Sequence, residues 1–195
     1  MTFYFVKNSI ITRITSKYSK NFYFMVYGCE NITFDGVKVT APADCVSFGD
    51  GSRKLLVQNV NSGSDTDNGV RIKTWLFGQG TLTITDIRFE DITMSSVRNP
   101  IIIDHEYCPW NQCNKMNPSK IKIRKDIFKN IKVTTKAEEG VVLICSSGVL
   151  CDGVELSNID LKFNGKPAKA VCSNVKPNVS GNAPKCEAYY PPPSG

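Results

Sequence analysis

The sequence contains a single histidine, His105, and no apolar run that reaches the length of a membrane-spanning helix. Its cysteines never stand at the two-residue spacing of a zinc knuckle, and no basic cluster is interleaved with aromatic residues. These absences argue against a membrane protein, a zinc-stabilised fold and a nucleic-acid-binding protein. Acidic residues are in the minority, since 18 Asp and Glu stand against 24 Lys and Arg, which gives a net charge of +6. A basic chain favours a polyanionic partner, such as an anionic lipid or an acidic polysaccharide.

A secretory signal is also lacking at the start of the sequence. Residues 1–20 alternate apolar with polar side chains and carry Lys7, Arg13, Lys17 and Lys20, whereas a signal needs a continuous apolar stretch. This segment is predicted to be a strand, and we expect the sequence to begin partway into a longer protein. With 195 residues, 41% of them hydrophobic, the chain fits one domain or one rod of repeated turns with a sizeable core.

Eight cysteines are many for a cytosolic protein of this size, and disulfides formed in an oxidising compartment account for them better. Three pairs are close enough in sequence to close small loops or to fix the C-terminal segment: Cys108–Cys113, Cys145–Cys151 and Cys172–Cys186. Two glycosylation sequons, at residues 31–33 and 178–180, agree with secretion.

Short apolar segments repeat one pattern: an apolar residue, a variable one, usually Asp or Asn, then Val or Ile, a polar residue and another apolar one. The anchor residues recur 23 to 39 positions apart, the range of a solenoid turn, and they are Val37, Val60, Ile92, Ile131 and Ile159. The β-branched content and the near absence of helical periodicity indicate strands and turns. Because single repeats cannot bury a face alone, we predict that they stack into an all-β, parallel β-helix, with Asn or Asp at left-handed turn positions.

The C-terminal residues depart from this pattern. Residues 173–195 include five of the ten prolines and little β-branched sequence. We therefore expect a single domain over 1–195, with coils over 1–172 and an irregular tail over 173–195.

Two cations share one predicted strand in residues 65–75. Arg71 and Lys73 are two residues apart, so their side chains point to the same face of a strand, while Val70 and Ile72 point to the other. Two parallel cations suit a polymer with a repeating carboxylate. The alternative is a solvated strand that happens to carry two surface charges.

Several segments resemble the plant polygalacturonases, the pectin-degrading glycoside hydrolases, and in particular their exopolygalacturonase-like members. The resemblance covers nearly the whole chain, and its most specific segments are residues 28–37, 67–75, 107–113, 145–151 and 172–177. It implies a right-handed parallel β-helix, hydrolysis of α-1,4 bonds between galacturonate units with inversion, and no cofactor. It also implies an extracellular, cell-wall location and a monomer that binds polygalacturonate rather than nucleic acid or a membrane.

Three of the four motifs that carry this family's chemistry are broken or absent. Arg-Ile-Lys is intact at residues 71–73, whereas Asn-Thr-Asp-Gly, the full Gly-Asp-Asp-Cys and Gly-His-Gly are missing. Compared with the family pattern, the chain jumps once after Asp44 and again after Val60. These jumps are what skipped exons or a faulty gene model would leave, so we expect a β-helix shortened by missing coils.

The lost motifs leave few candidates for catalysis. By resemblance, Asp44 is either the second Asp of Gly-Asp-Asp or the residue before the lost segment, and in both cases it lacks its partner carboxylate. Asp50 lies beyond the family's catalytic pair, and Asp65 and Asp67 are predicted to be turn residues. His105 stands outside any Gly-His-Gly motif and is expected to be non-catalytic.

The resemblance also bears on substrate binding and on two cysteines. It aligns Tyr107 with a tyrosine beside the family's substrate cleft, so Arg71, Lys73 and Tyr107 are the expected substrate-binding residues. It further implies that the disulfide partner of Cys45 is lost, and Cys29 is expected to be unpaired too.

Three interpretations of function remain open at this point. The first is a pectin-directed hydrolase that is inactive as written, and the second is a non-catalytic wall protein that only binds acidic polysaccharide. The third is a pectate-lyase-type β-helix, although such lyases need a calcium-binding acidic cluster that the sequence does not display.

Overall fold

The computed structural model describes residues 1–17, 22–40, 44–63, 66–75, 82–108, 113 and 117–188, without the side chains of residues 22, 23, 40 and 44. The described residues form strands and turns, with no helix that could span a membrane among them. The strands are β1 (Thr2–Tyr4), β2 (Lys7–Thr12), β3 (Thr15–Lys17), β4 (Phe22–Tyr27), β5 (Glu30–Asp35), β6 (Lys38–Thr40), β7 (Asp44–Phe48), β8 (Arg53–Ser62), β9 (Asn68–Trp75), β10 (Thr83–Val97), β11 (Asn99–Tyr107), β12 (Lys122–Arg124), β13 (Ile127–Thr135), β14 (Glu139–Ile144), β15 (Glu155–Phe163), β16 (Lys166–Pro167), β17 (Lys169–Ser173), β18 (Asn178–Ser180) and β19 (Cys186–Ala188).

These strands form two long sheets. Sheet 1 has the order β1-β4-β7-β9-β11-β14-β17-β19, and the main path of sheet 2 is β16-β15-β13-β10-β8-β5-β2. Each turn of the chain thus adds one strand to each sheet, and neighbours pair in parallel except for the hairpin of β15 and β16. This is the parallel β-helix that the repeats predicted, in the right-handed form that the resemblance implied.

The predicted anchor residues form one buried column. Val60 pairs with Ile92, Ile92 with Ile131, and Ile131 with Ile159, all on successive strands of sheet 2. Val37 continues the column, and its carbonyl accepts a hydrogen bond from the amide of Asn61, next to Val60. All five side chains are almost completely buried. The predicted apolar column is therefore confirmed.

A ladder of polar residues runs beside this column. The residues in the Asp/Asn position have φ between 52° and 66°: Gly36, Asn59, Asp91, Asn130 and Asn158. Their side chains bond along the axis, because Asn130 donates to Asp91 (2.9 Å) and Asn158 donates to Asn130 (3.1 Å). The predicted left-handed position is confirmed, and it has a physical basis, since Asn, Asp and Gly adopt this conformation most readily.

A second left-handed column was not predicted. It stands one residue before the inward-facing residues of sheet 2, and its members are Asn8, Asn31, Lys54, Asp86, Lys125 and Gly153. The register places them opposite one another on successive coils. The sequence did not reveal this column because its members differ in chemical type, and the two lysines among them are not typical of a left-handed position.

The C-terminal segment is more regular than the sequence indicated. Strand β18 extends sheet 2 beside β15, and β19 extends sheet 1 beside β17. Residues 178–180 and 186–188 therefore differ from the expected irregular tail, because a stacked coil offers hydrogen-bonding edges to any segment that follows. The disulfide of Cys172 with Cys186 joins β17 to β19. Residues 189–195 lie outside the described part of the chain.

Candidate functional site

Strand β9 carries the predicted pair of cations on sheet 1, between β7 and β11. Its inward residues Val70 and Ile72 are fully buried in the core, which fixes the register of the strand. Alternation then turns Arg71 and Lys73 to the opposite face. Ser47 of β7 pairs with Arg71 on one side, and Ile102 of β11 pairs with it on the other.

Arg71 and Lys73 converge on the ring of Tyr107 from the neighbouring strand. The Arg71 guanidinium carbon lies 4.8 Å from the ring centre, and the Lys73 ammonium nitrogen lies 4.6 Å from it. Both cations are covered rather than solvated, since Lys73 is 9% exposed and the Arg71 side chain 11%. Two cations against one aromatic ring form a compact positive site. The structure thus brings together the three residues expected to bind substrate.

Asp104 is the acidic member of this group, and the sequence analysis missed its role. It pairs in register with Lys73, and its carboxylate accepts a hydrogen bond from Arg71 at 3.1 Å. Burial raises the pKa of the Asp104 carboxyl above its usual value, against the opposing effect of Arg71 and, more weakly, Lys73. The register of β9 with β11 is the signal that could have found it, and that register is not readable from the local sequence.

Trp75 extends the aromatic surface at the end of β9. Its ring meets that of Tyr107 edge to face, with centroids 5.2 Å apart, and it is 38% exposed. Cys108, which follows Tyr107 directly, forms a disulfide with Cys113. Residues 109–112 of that loop lie outside the described residues.

His105 points into the core, away from the two cations. It is fully buried, and its Nδ1 accepts a hydrogen bond from the backbone amide of Ser146 at 3.1 Å. Burial lowers the pKa of the imidazole to about 4, with a smaller opposing effect from the Ile121 backbone. His105 is therefore neutral near pH 7 and lies beneath the site as a packing residue.

Two buried cysteines lie beside this histidine, and the three residues have the spacing of possible metal ligands. Cys145 and Cys151 are however bonded to each other in a disulfide. A disulfide provides no thiolate for a metal ion, so the cluster does not fit a metal site.

A buried polar network ties the cationic strand to the segments below. The hydroxyl of Thr74, next to Lys73, lies 3.2 Å from both the His105 carbonyl oxygen and the Ser119 hydroxyl. Ser146 in turn donates to the Ser119 carbonyl at 2.7 Å. Since all these groups are buried and bonded, the network holds β9 and β11 in one arrangement.

The catalytic candidate Asp44 is only partly described. Its backbone begins β7 and pairs with Phe22, whereas its side chain lies outside the described residues. Ser47, the partner of Arg71, follows three residues later, so the Asp44 backbone lies roughly 10 Å along the strand from that pair. Strand β7 lies directly beside β9, where the resemblance would place a coil with Gly-His-Gly.

Two further carboxylates of the sequence analysis, Asp50 and Asp67, have other surroundings. Asp50 is buried in the turn after β7, where its Oδ2 accepts a hydrogen bond from the Tyr27 hydroxyl at 2.6 Å. Asp67 is exposed immediately before β9. Asp65 lies outside the described residues. No described contact brings Asp50 or Asp67 to the ring of Tyr107.

The structure pairs six cysteines in the three combinations that their spacing favours. Cys29 and Cys45 belong to none of these disulfides, and both are completely buried. The Sγ of Cys29 lies within 3.5 Å of the carbonyls of Phe3 and Tyr27.

Comparison with a solved structure agrees with this architecture. The chain superposes on the endo-xylogalacturonan hydrolase from Aspergillus tubingensis with a TM-score of 0.63, over 96% of this chain and 68% of that one. At 17% sequence identity, this likeness concerns the fold alone.

Curated relatives are much more similar in sequence. A polygalacturonase from Medicago sativa is 50% identical, over 95% of this chain and 58% of its own length. An exopolygalacturonase from Oenothera organensis is 36% identical, over 91% of this chain and 65% of its length. The chain thus spans about three fifths of the length of these relatives.

The first of these alignments also shows what the chain lacks. It runs over 242 positions, whereas the chain has 195 residues, so internal segments of the relative have no counterpart here. The family model for glycosyl hydrolases family 28 matches residues 47–184, which include the cations, Asp104 and Tyr107. The fold, the intact Arg-Ile-Lys motif and these matches together show that the chain belongs to glycosyl hydrolases family 28.

Proposed function

We propose that this chain binds polygalacturonate, the acidic polymer of pectin, through Arg71, Lys73 and Tyr107 on sheet 1. The observation that carries the proposal is the convergence of two covered cations on one aromatic ring. A galacturonate unit offers a carboxylate to the cations and a pyranose ring to Tyr107 and Trp75. The names of the relatives, polygalacturonase and exopolygalacturonase, point to the same substrate class.

The energetics favour a carboxylate at this position. A hydrogen bond to a charged group contributes about 1.5–3 kcal/mol when it is shielded from water. Arg71 and Lys73 are both largely shielded, so little further desolvation is needed on binding. The Asp104 carboxylate already accepts a hydrogen bond from the Arg71 guanidinium, and a substrate carboxylate has to share Arg71 with Asp104 or displace it.

We further propose that the chain binds this polymer without hydrolysing it. Inverting hydrolysis needs two carboxyl groups roughly 6.5–9.5 Å apart, one as an acid and one as a base that activates water. The carboxylate with a described contact to Arg71 is Asp104, and Asp50 is engaged by Tyr27. Asp44 has no partner carboxylate in its motif. An active hydrolase remains the second candidate, because the family is hydrolytic.

The place of action that we propose is the cell wall, where pectin is found. Three disulfides within 195 residues are typical of a protein that folds in an oxidising compartment. Membership in a glycosyl hydrolase family also favours a hydrolase-type protein over the pectate-lyase alternative.

Calorimetric titration with a short, fully de-esterified oligogalacturonate tests the binding proposal. The double variant Arg71→Ala/Lys73→Ala is expected to lose most of the affinity. The matched control is Lys129→Ala/Lys132→Ala, which removes the same charge from two exposed lysines of β13 on sheet 2. An equal loss of affinity in both variants would show that only the net charge of the protein matters. Undiminished binding by the first variant would reject the proposed site.

A further inference from the structure

The first three strands of sheet 1 present a different surface from the cationic strand. Strands β1, β4 and β7 contain no lysine or arginine, and the cations of the sheet begin at β9. Instead, β1 and β4 each end in a tyrosine. Tyr4 is the last residue of β1 and pairs in register with Tyr27, the last residue of β4.

The register places these tyrosines in line with the cations. Val26 pairs with Phe48, and Phe48 pairs with Ile72, so the next residues along, Tyr27, Gly49 and Lys73, form one row across the sheet. Lys73 continues the row to Asp104. With strands roughly 5 Å apart, Tyr27 lies roughly 10 Å and Tyr4 roughly 14 Å from Lys73 along the axis.

The ring of Tyr27 lies against Gly49, directly after the next strand. A Cβ atom at Gly49 would collide with the Tyr27 ring, so the glycine leaves the space that the ring occupies. The Tyr27 hydroxyl donates to Asp50 at 2.6 Å, and Asp50 is only 6% exposed. Tyr4 packs beside it with ring centroids 6.2 Å apart and remains 57% exposed.

This surface has the properties of a sugar platform without a site for an anion. Tyrosine rings offer an apolar face with a polar edge, which matches the face of a pyranose. The nearby carboxyl of Asp50 repels rather than attracts a second carboxylate, and in the part of the chain that the structure describes no cation pairs with it. An ionised galacturonate unit would therefore lose its hydration here without gaining a counterion.

We propose that Tyr4 and Tyr27 form a second subsite that accepts an uncharged pyranose unit of the polymer bound at Arg71 and Lys73. This inference rests on the proposed function and adds a specificity to it. The bound chain follows the row of sheet 1, with an ionised unit at the cations and an uncharged unit over the tyrosines. A methyl-esterified galacturonate and a neutral sugar both have this chemistry.

The test compares three ligands of equal length by calorimetry: a de-esterified hexagalacturonate, a partially methyl-esterified one and a neutral galactose oligomer. The variant is Tyr4→Ala, which removes an exposed ring without leaving Asp50 unpaired. It is expected to weaken binding of the esterified hexamer by about 2-fold to 12-fold and to leave a de-esterified trimer unaffected. Ile10→Ala is the control, because Ile10 is 76% exposed but lies on sheet 2.

A second variant acts on the platform without removing a ring. In Gly49→Ala the backbone conformation suits alanine, but the added Cβ would collide with the Tyr27 ring. The variant is therefore expected to displace the ring and to lower affinity for the esterified hexamer. A thermal melt of each variant identifies any loss of fold. Equal affinity of the wild-type protein and Tyr4→Ala for the esterified and neutral ligands would overturn the subsite.

The two proposals fail in different ways. If de-esterified oligomers do not bind, the cation site is wrong, and Tyr4-dependent binding of the neutral oligomer would still support the platform. If they bind through Arg71 and Lys73 but Tyr4→Ala changes nothing, the platform alone is wrong. Tyr4-dependent binding of the neutral oligomer identifies a neutral sugar, and binding of the esterified hexamer alone identifies the methyl ester.

Discussion

The ammonium group of Lys73 lies 4.6 Å from the centre of the Tyr107 ring, on the strand next to its own. The same ring faces Arg71, so one aromatic side chain accommodates two cations. Covering a lysine costs solvation, and the electron-rich face of the ring partly offsets that cost. Tyr107 therefore holds both cations close together on sheet 1.

The first prediction concerns this ring. Tyr107→Leu is expected to weaken binding of a de-esterified oligogalacturonate by about 10-fold, because a desolvated cation–π contact contributes roughly 1–2 kcal/mol. Tyr107→Phe keeps the ring and should retain most of the affinity. Titration calorimetry measures both. If the two variants bind alike, the face of the ring is not what positions the cations.

The second prediction concerns Asp104, whose carboxylate accepts a hydrogen bond from Arg71. Asp104→Asn keeps the shape of the side chain and removes its charge, so a sugar carboxylate has one competitor fewer at Arg71. Affinity for oligogalacturonate is expected to rise several-fold, and its salt dependence to steepen, because one negative charge beside the cations is removed. Glu90→Gln, which removes a carboxylate paired with Arg88 on sheet 2, is the matched control. Weaker binding by Asp104→Asn would instead assign the carboxylate a direct contact with the sugar.

The repeats made most of the fold predictable. A column such as Ile92, Ile131 and Ile159 is visible in sequence because each coil places the same residue type at the same point of a shared register. The left-handed ladder was visible for the same reason, since few residues other than Gly, Asn and Asp adopt that conformation readily. The second ladder, with Lys54 and Lys125, was not visible because its members share a backbone conformation and no chemistry.

The site was predictable only in part. Arg71 and Lys73 follow from local alternation, and Tyr107 came from resemblance. Asp104 depends on which residue of β11 stands beside Lys73, and that register is set by core packing between strands rather than by nearby sequence. The burial of Arg71 and Lys73 also depends on side chains from neighbouring strands, so it could not be predicted from the local sequence.

The third prediction separates the two contributions of the Asn ladder. Asn130→Ala loses the side-chain hydrogen bonds and also strains a backbone with φ of 52°, whereas Asn130→Gly loses only the bonds. Because the left-handed conformation costs about 1–2 kcal/mol for a residue with a Cβ, the alanine variant should be less stable than the glycine variant by about that amount. Urea denaturation measures the difference. Lys129→Ala, one residue earlier and exposed, should change stability little.

The fourth prediction uses the buried histidine. The pKa of His105 is lowered to about 4 by burial, compared with 6.5 for the unfolded chain. The neutral form is favoured by folding, so its contribution to stability is present above pH 6.5 and is lost as the pH falls towards 4. The full loss is on the order of 3 kcal/mol.

Comparison with His105→Asn isolates this effect, because the variant keeps a polar side chain that does not titrate. Burial raises the pKa values of Asp50 and Asp126, which act in the opposite direction in both proteins and cancel in the difference. The difference in unfolding free energy between the two proteins should therefore shrink from pH 7 to pH 4. A difference that stays constant over this range would show that His105 titrates normally in the folded protein.

The last prediction is that the chain as written will not hydrolyse polygalacturonate at a useful rate. A positioned acid or base typically contributes about 10²–10⁴-fold each, and the carboxylate pair of the family motifs is not complete here. The positions of the remaining catalytic groups are affected as well, because β7 lies directly beside β9, where the resemblance would place a further coil. A displacement of about 1 Å can already lower the rate 10²-fold.

A reducing-end assay on polygalacturonate should give no turnover above that of the boiled protein. The informative comparison is a version in which the segments that the Medicago sativa relative has, and this chain lacks, are restored. We expect turnover to appear only in that version, while both versions bind oligogalacturonate through Arg71 and Lys73. Comparable turnover in the two would mean that a carboxylate of the short chain, Asp44 first among them, has acquired a partner and completes the acid–base pair on its own.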